Sequence, residues 1–245
     1  LQAETSKTSD KSPSSALATR TAGLRVSSNF IRREASRTAL DTKFAKTVNS
    51  RFAILRTQIL REMRKHGWRR LAITPLTAGA GGTSVAVQLA LALSRQKLTE
   101  VILVDLDLAQ PSIATTLGIP GCDPVSEVLN LNRPMADITA IVEEVPNLWV
   151  VAPGSAEDDA AELLQDDALA TALHVWRGIR PNAIEIFDTA ALLDGDAALA
   201  TLPLVDAILL VADGRRSTNS DMTKAERLLK DLPPIMGVIL NKSED

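Results

Sequence analysis

Beyond residue 70 the chain alternates short, unbroken apolar runs with longer segments whose apolar residues recur every three or four positions. The runs Leu71–Thr74, Val101–Asp105, Leu148–Ala152, Ala183–Phe187, Ala207–Val211 and Ile235–Leu240 predict strands. They are apolar throughout rather than alternating, which is the pattern of strands covered on both faces. Between them Ser84–Arg95, Pro111–Thr116, Val125–Asn130, Asp159–Leu164, Asp167–Ile179, Ala197–Leu202 and Ser217–Lys230 predict helices. Alternation of this kind proceeds by right-handed crossovers that lay successive strands parallel. The expected fold class is α/β, a doubly wound, mainly parallel sheet flanked by helices.

The region ahead of the alternation reads differently. Residues 1–43 are rich in Ser, Thr, Ala, Lys and Arg without sustained apolar periodicity, and are expected to form a disordered basic arm or linker, leaving 44–245 as the folded domain. From Phe44 to His66 a helix is expected, because Phe52, Leu55, Ile59 and Met63 form an apolar stripe and Gly67 follows as a stop. The net charge of -3 hides a division: residues 1–70 carry 16 Lys/Arg against 5 Asp/Glu, and the remainder 11 against 25. A basic arm before an acidic domain suits docking to an acidic partner, to an anionic membrane surface or to the domain itself. Its few aromatics (Phe30, Phe44, Phe52, Trp68) and lack of a recognition motif argue against nucleic acid. No apolar run approaches membrane-spanning length, no secretory leader is apparent and Cys122 is the single cysteine, so the cytoplasm is the expected compartment.

Three segments carry candidate chemistry. The first is Thr74-Pro75-Leu76-Thr77-Ala78-Gly79-Ala80-Gly81-Gly82-Thr83-Ser84, between the first central strand and a helix. Gly79, Ala80, Gly81, Gly82, Thr83 and Ser84 lie where a phosphate-binding loop would turn successive N–H groups inward, at a helix N-terminus whose partial positive charge favours an anion. In the pattern G-x-x-x-x-G-K-[ST], however, Leu76 replaces the first glycine and Gly82 the lysine. A strand–helix turn with no ligand remains open from this loop alone. The second segment is Val101-Ile102-Leu103-Val104-Asp105-Leu106-Asp107, where two aspartates emerge at the carboxyl end of a buried strand, the edge at which open α/β sheets bind ligands. Asp105 and Asp107 could reach one metal or one proton, or could cap the helix that starts near Pro111. The third is Ile184-Glu185-Ile186-Phe187-Asp188, where an acid ends an apolar strand in the manner of a Walker B carboxylate that holds Mg²⁺ together with the Thr83 hydroxyl.

Taken together, these segments resemble the cytoplasmic bacterial tyrosine kinases of polysaccharide export (the CpsD/CapB type), a branch of the P-loop ATPases related to the MinD/ParA group. The resemblance runs from about Phe52 to Lys242. It is carried by Asp105-Leu106-Asp107-Leu108 with Pro111-Ser112, similar to the second Walker motif of that family, by Trp149-Val150-Val151-Ala152-Pro153-Gly154 with Glu162-Leu163-Leu164, and by Gly237-Val238-Ile239-Leu240-Asn241-Lys242. It implies a P-loop NTPase fold binding ATP or ADP with Mg²⁺. Asp105 and Asp107 would assist the metal and deprotonate a tyrosine hydroxyl, and Thr83, Asp105 and Asp188 would hold the metal. The implied partner is a membrane polysaccharide co-polymerase or chain-length protein, which would place the chain peripherally at the inner membrane.

The departures from the pattern are specific. Gly82 stands for the lysine, Ala109 for an arginine that often follows the aspartates, and Ala190-Ala191 for a Pro-Pro pair. The oligomerisation pattern Glu-x-x-Arg-x-x-Arg reads Ser50-x-x-Ala53-x-x-Arg56, so a homo-oligomer would rest on a degenerate motif. The sequence contains no tyrosine, so no residue of it can be autophosphorylated as these kinases are. The reading that follows is a degenerate, kinase-like regulator of exopolysaccharide or capsule synthesis or export, binding ATP weakly with little turnover. The alternatives are an active tyrosine kinase or ATPase acting on other proteins, and a MinD/ParA-like scaffold without enzymatic activity.

Overall fold

A computed structural model describes residues 24–31 and 39–243, with the backbone alone for 39–46. Eight strands form one sheet in the order β1-β4-β5-β3-β6-β2-β7-β8. They are β1 (Leu24–Val26), β2 (Arg70–Pro75), β3 (Val101–Asp105), β4 (Ala140–Val142), β5 (Leu148–Val151), β6 (Ile184–Asp188), β7 (Ala207–Asp213) and β8 (Ile235–Asn241). The six strands expected from their apolar runs are the parallel centre. At one edge β4 runs antiparallel to β5, and β1 pairs parallel with β4. The α/β, mainly parallel architecture is thus as the periodicity predicts.

The helices among the described residues are α1 (Ala39–His66), α2 (Gly82–Ser94), α3 (Ile113–Leu117), α4 (Val125–Asn130), α5 (Ala160–Gln165), α6 (Asp167–Ile179), α7 (Ala197–Thr201) and α8 (Asn219–Leu228). Alternation along each central strand divides the core into two layers. Leu71, Ile73, Val101, Leu103, Ile184 and Ile186 pack with Ile59 and Met63 of α1, Leu89 and Leu93 of α2 and Leu117 of α3. Ala72, Ile102, Val104, Phe187, Ile208 and Leu210 pack with α4 to α8. Both faces of β2, β3, β5, β6 and β7 are covered, which explains why they carry no polar alternation, while the edge strand β8 leaves Val238 and Leu240 exposed.

Part of the stretch expected as a disordered arm is ordered. Within 1–43, Leu24–Val26 is a strand, and Ser28 is buried with its hydroxyl donating to Leu117 O at 2.6 Å and its amide donating to Glu144 Oε2 at 3.0 Å. The helix expected from Phe44 starts at Ala39. The rest of that expectation, residues 1–23 and 32–38, lies outside the described residues.

At the amino edge of the sheet Arg70 and Glu185 form a buried ion pair at 2.6 Å, and the same guanidinium donates to Leu173 O and Leu204 O. Burial raises the Glu185 pKa against the opposing pull of Arg70. This arginine is therefore consumed in locking β2 to β6 and the α6 side, on the edge opposite the loop. A smaller lock begins α8: Asp221 N–H donates to Thr218 Oγ1 at 3.2 Å and Thr218 N–H donates to Asp221 Oδ2 at 2.9 Å, a reciprocal capping box. Thr218→Ala is expected to lower stability by about 1 kcal/mol, read as a lower urea midpoint at unchanged slope. An unchanged midpoint would show that the cap contributes nothing.

Candidate functional site

The carboxyl ends of β2, β3 and β6 converge on one cleft of about 520 Å³. After β2 the chain turns through Gly79 (φ 76°) and Gly81 (φ 92°) into α2, whose first residue is Gly82. Gly81 is favoured because its φ is left-handed, and a Cβ there would also press on the Asn241 side-chain amide. Gly79, Gly81, Gly82, Thr83 and Ser84 line the cleft, while Ala80 is buried beneath it. The predicted loop is thus a glycine turn feeding a 13-residue helix, the arrangement that presents backbone N–H groups to an anion.

Gly82 has a neighbour that explains part of its identity. A Cβ built on it would lie 2.8 Å from Cδ and 2.9 Å from Cγ of the buried Pro75. The proline ring occupies the space from which a lysine side chain would start. At this backbone a lysine at 82 would require Pro75 to move.

Asp105 and Asp188 are register partners on adjacent strands and share the face covered by α2 and α3. Asp105 is engaged: its Oδ2 accepts the Ser112 and Ile113 amides at 2.8 and 2.9 Å, and its Oδ1 accepts Asp107 N–H at 3.2 Å. The capping alternative thus holds for Asp105, which ties down the start of α3 while remaining beside Asp188. Asp107, also offered for that role, is half-buried, lines the cleft and accepts Gln110 N–H at 3.3 Å. Asp188 is 1% exposed and neither of its carboxylate oxygens makes a hydrogen bond of good geometry, the Thr83 hydroxyl being the one group near enough to favour its charge.

These charges perturb one another. Burial pushes Asp105 up to about 6, the bonds from Ile113 and Ser112 pull it back, and the Asp107 charge adds to the rise. Asp188 is raised well above the ordinary range, first by burial and then by the charge of Asp105, with only the Thr83 hydroxyl easing ionisation. Asp107 is raised by burial. Desolvated, mutually repelling carboxylates with an orphaned member are the environment that a cation relieves. The Thr83 hydroxyl stands 2.9 Å from Ser112 Oγ.

The donor set fits Mg²⁺ as phosphate loops hold it, through one hydroxyl, one carboxylate and oxygens from phosphate and water. Thr83 and Asp188 would hold the ion, with Ser112 and Asp105 next to them. Among the described residues no group of three or more His, Cys, Asp or Glu could hold a metal unaided. Such a cluster is not needed where the nucleotide supplies ligands.

The cleft's cations are the missing element. Among the described residues that line it none is Lys, Arg or His, whereas Asp107, Asp194 and Asp196 all line it. Sequence reasoning had not singled out Asp194, and had included Ser112 only as part of the second Walker-like motif. Asp194 Oδ2 accepts the Ala78 N–H at 2.5 Å. On the far side of the loop Asn241 Nδ2 donates to Ala80 O at 2.9 Å, and the Lys242 ammonium donates to Gly79 O while lying 3.6 Å from Asp213 Oδ2. The only hint of these contacts was the Asn-Lys pair at the end of the last strand. Arg56, the surviving member of the oligomerisation pattern, points inward instead, donating to Ala92 O of α2 at 3.2 Å.

Comparison with solved structures agrees with this frame. The fold is similar to the VpsO kinase domain (24% identity, 84% of this chain and 100% of that chain, TM-score 0.72). It is also similar to the kinase domain of the Escherichia coli tyrosine kinase ETK (20% identity, 80% and 78%, TM-score 0.70). The septum site-determining protein MinD of Pyrococcus horikoshii, complexed with Mg-ADP, aligns more loosely (21% identity, 72% and 72%, TM-score 0.58). No family model matches the sequence, and neither does any curated protein. The chain therefore has a P-loop NTPase fold. Within that class it has the fold of the bacterial tyrosine-kinase domains related to MinD, as the motifs implied. Among the described residues no helix is long and apolar enough to cross a membrane.

Proposed function

We propose that this chain is a kinase-like regulatory protein that binds ADP or ATP with Mg²⁺ at the cleft of β2, β3 and β6 and turns the nucleotide over slowly. The observation that carries this reading is the contrast between the two halves of one site. The metal half is kept, with Asp188 buried and unpartnered beside Thr83. The phosphate half has lost its lysine, and Pro75 fills the space. A carboxylate with no hydrogen bond is costly to bury, so a site used only as scaffold has no physical reason to keep Asp188. An efficient phosphoryl-transfer site, conversely, needs positive charge on the developing phosphate, and among the described residues no Lys, Arg or His lines this cleft.

The likeness in fold to VpsO and ETK, together with the motifs around Asp105 and Glu162, supports a role in exopolysaccharide or capsule synthesis or export. In this reading a membrane co-polymerase is the partner, and it brings the chain to the inner membrane. Asp105 and Asp107 would be the residues nearest the chemistry were any phosphoryl transfer to occur. When bound, Mg²⁺ would neutralise phosphate charge; the chain's own contribution is to orient the phosphates on the amides of Gly81 to Ser84 and to exclude water around Asp188.

The test is calorimetric titration with Mg·ADP and Mg·ATP, paired with a hydrolysis assay and a kinase assay on a tyrosine-containing substrate. Binding with turnover far below the roughly 1–100 per second of protein kinases is expected. Turnover within that range would overturn the regulatory reading in favour of an active kinase, and absence of any binding would leave the scaffold.

A further inference from the structure

The three consecutive loop residues Ala78, Gly79 and Ala80 are each bonded by a side chain from outside the loop: Asp194, Lys242 and Asn241. Lys242 and Asn241 act on carbonyl oxygens, and neither lines the cleft. Asp194 is different, because it lines the cleft and holds a loop amide of the kind that a phosphate would take. It sits on the exposed segment after β6, which is itself zipped to the loop by Leu192 N–H on Pro75 O and Leu193 N–H on Leu76 O.

We propose that Asp194 sets the length of phosphate chain this site accepts, admitting a nucleoside diphosphate with Mg²⁺ and disfavouring the triphosphate. The inference rests on the nucleotide-binding reading above. In a phosphate loop the amides at the head of the helix cradle the α- and β-phosphates, and the metal on the Ser/Thr hydroxyl bridges the β- and γ-oxygens. Here the helix head is Gly82–Thr83 and the metal seat is Thr83 with Asp188. A terminal phosphoryl group must extend from that head past the metal, into the space between the loop and the segment after β6. Ala78, Thr189, Ala190, Asp194 and Asp196 line the same cleft as the helix head.

Two features make the extra phosphoryl group unwelcome. The lysine that would answer its charge is absent at Gly82, and among the described residues no other Lys, Arg or His lines the cleft. The group would also have to displace the Asp194 carboxylate from Ala78 N–H while facing Asp196. Uncompensated like charges at close range discriminate strongly between ligands.

The experiment compares Mg·ADP and Mg·ATP by calorimetry on the full chain and on Asp194→Asn, Asp194→Ala and Asp196→Asn, with melting temperatures confirming that each variant folds. The native chain is expected to bind Mg·ADP at least ~10-fold more tightly than Mg·ATP. Asp194→Asn and Asp194→Ala are expected to tighten Mg·ATP about 5–10-fold while Mg·ADP shifts by no more than about twofold, bringing the two affinities together. Asp196→Asn removes a charge from the same cleft without touching a loop amide and should move the ratio less. Equal affinities in the native chain, or an equal response to Asp196→Asn, would overturn the assignment to Asp194 while leaving nucleotide binding intact. Failure of both nucleotides to bind any of the four proteins would overturn the underlying reading as well.

Discussion

Restoring the lysine alone is expected to fail. In Gly82→Lys the new Cβ would lie 2.8 Å from Pro75 Cδ and 2.9 Å from Cγ, and Pro75 is a rigid ring buried at the end of a central strand. Overpacking of this kind costs about 1–3 kcal/mol, so the single variant should melt lower than the native chain and gain little affinity for nucleotide. Pro75→Ala removes both ring atoms and leaves only a Cβ, 3.3 Å from the new side chain, a contact that a shift of a few tenths of an ångström relieves. The double variant Pro75→Ala/Gly82→Lys should therefore recover stability and place an ammonium at the helix head. Gaining one partner of a desolvated charge pair is worth about 2–5 kcal/mol. Mg·ATP affinity should then rise tens- to thousands-fold, and hydrolysis should become measurable. Calorimetry, melting temperature and phosphate release read the three effects. A single variant as stable and as tight as the double one would show that Pro75 is no obstacle. A double variant with unimproved affinity would show that something other than the lysine limits the site.

That coupling could not be read from the sequence. Pro75 and Gly82 are separated along the chain, and each is unremarkable in a loop; they meet only because the turn at Gly79 and Gly81 folds α2 back onto the end of β2. Motif alignment identifies the missing lysine and is blind to what replaced it. The same limit applies to Asp194 and Lys242, which reach the loop from after β6 and β8 across contacts that no local pattern encodes. What was legible had a local cause. Five of the six expected strands are apolar on both faces because helices cover both sides of the sheet there, whereas β8 is an edge strand with Ile235, Val238 and Leu240 exposed; the stripe from Phe52 to Met63 is the buried side of α1. Asp105 and Asp188 stood out because a carboxylate ending an unbroken apolar run has few structural uses. The two strands that were missed, Leu24–Val26 and Ala140–Val142, are three residues each, at one edge of the sheet. Leu24 and Arg25 are exposed, so a Leu-Arg-Val segment inside a basic, serine-rich stretch carries no signal that distinguishes it from linker.

The buried acids should give the domain an unusual pH dependence. Asp105 ionises at 3.8 in ordinary surroundings and at about 6 here. Between those values the unfolded chain releases a proton that the folded chain keeps, so stability falls as pH rises through the window. The full difference for this group corresponds to about 3 kcal/mol. Asp188, raised by burial and by Asp105, acts with the same sign and extends the fall to higher pH. In metal-free buffer the native chain should thus melt higher at pH 5 than at pH 8. Asp188→Asn removes one member of the repelling pair without changing its shape. At pH 8 in the same buffer it should melt several degrees above the native chain, since a gain of 1 kcal/mol moves a domain of this size by about 2–4 °C, and the advantage should shrink as the pH is lowered towards 4. Addition of Mg·ADP reverses the order: ligand at a hundred times its dissociation constant stabilises by about 2.7 kcal/mol, and only a chain that retains the carboxylate should receive that gain. Thermal melts of the two proteins at pH 5 and 8, with and without Mg·ADP, contain the whole test. A variant that melts below the native chain in metal-free buffer at pH 8 would show that Asp188 is held there for structure. A variant that responds fully to Mg·ADP would show that it does not hold the metal. The opposite result on both counts would mean that this protein spends stability on a carboxylate kept bare for a cation, which a purely structural loop would have no reason to do.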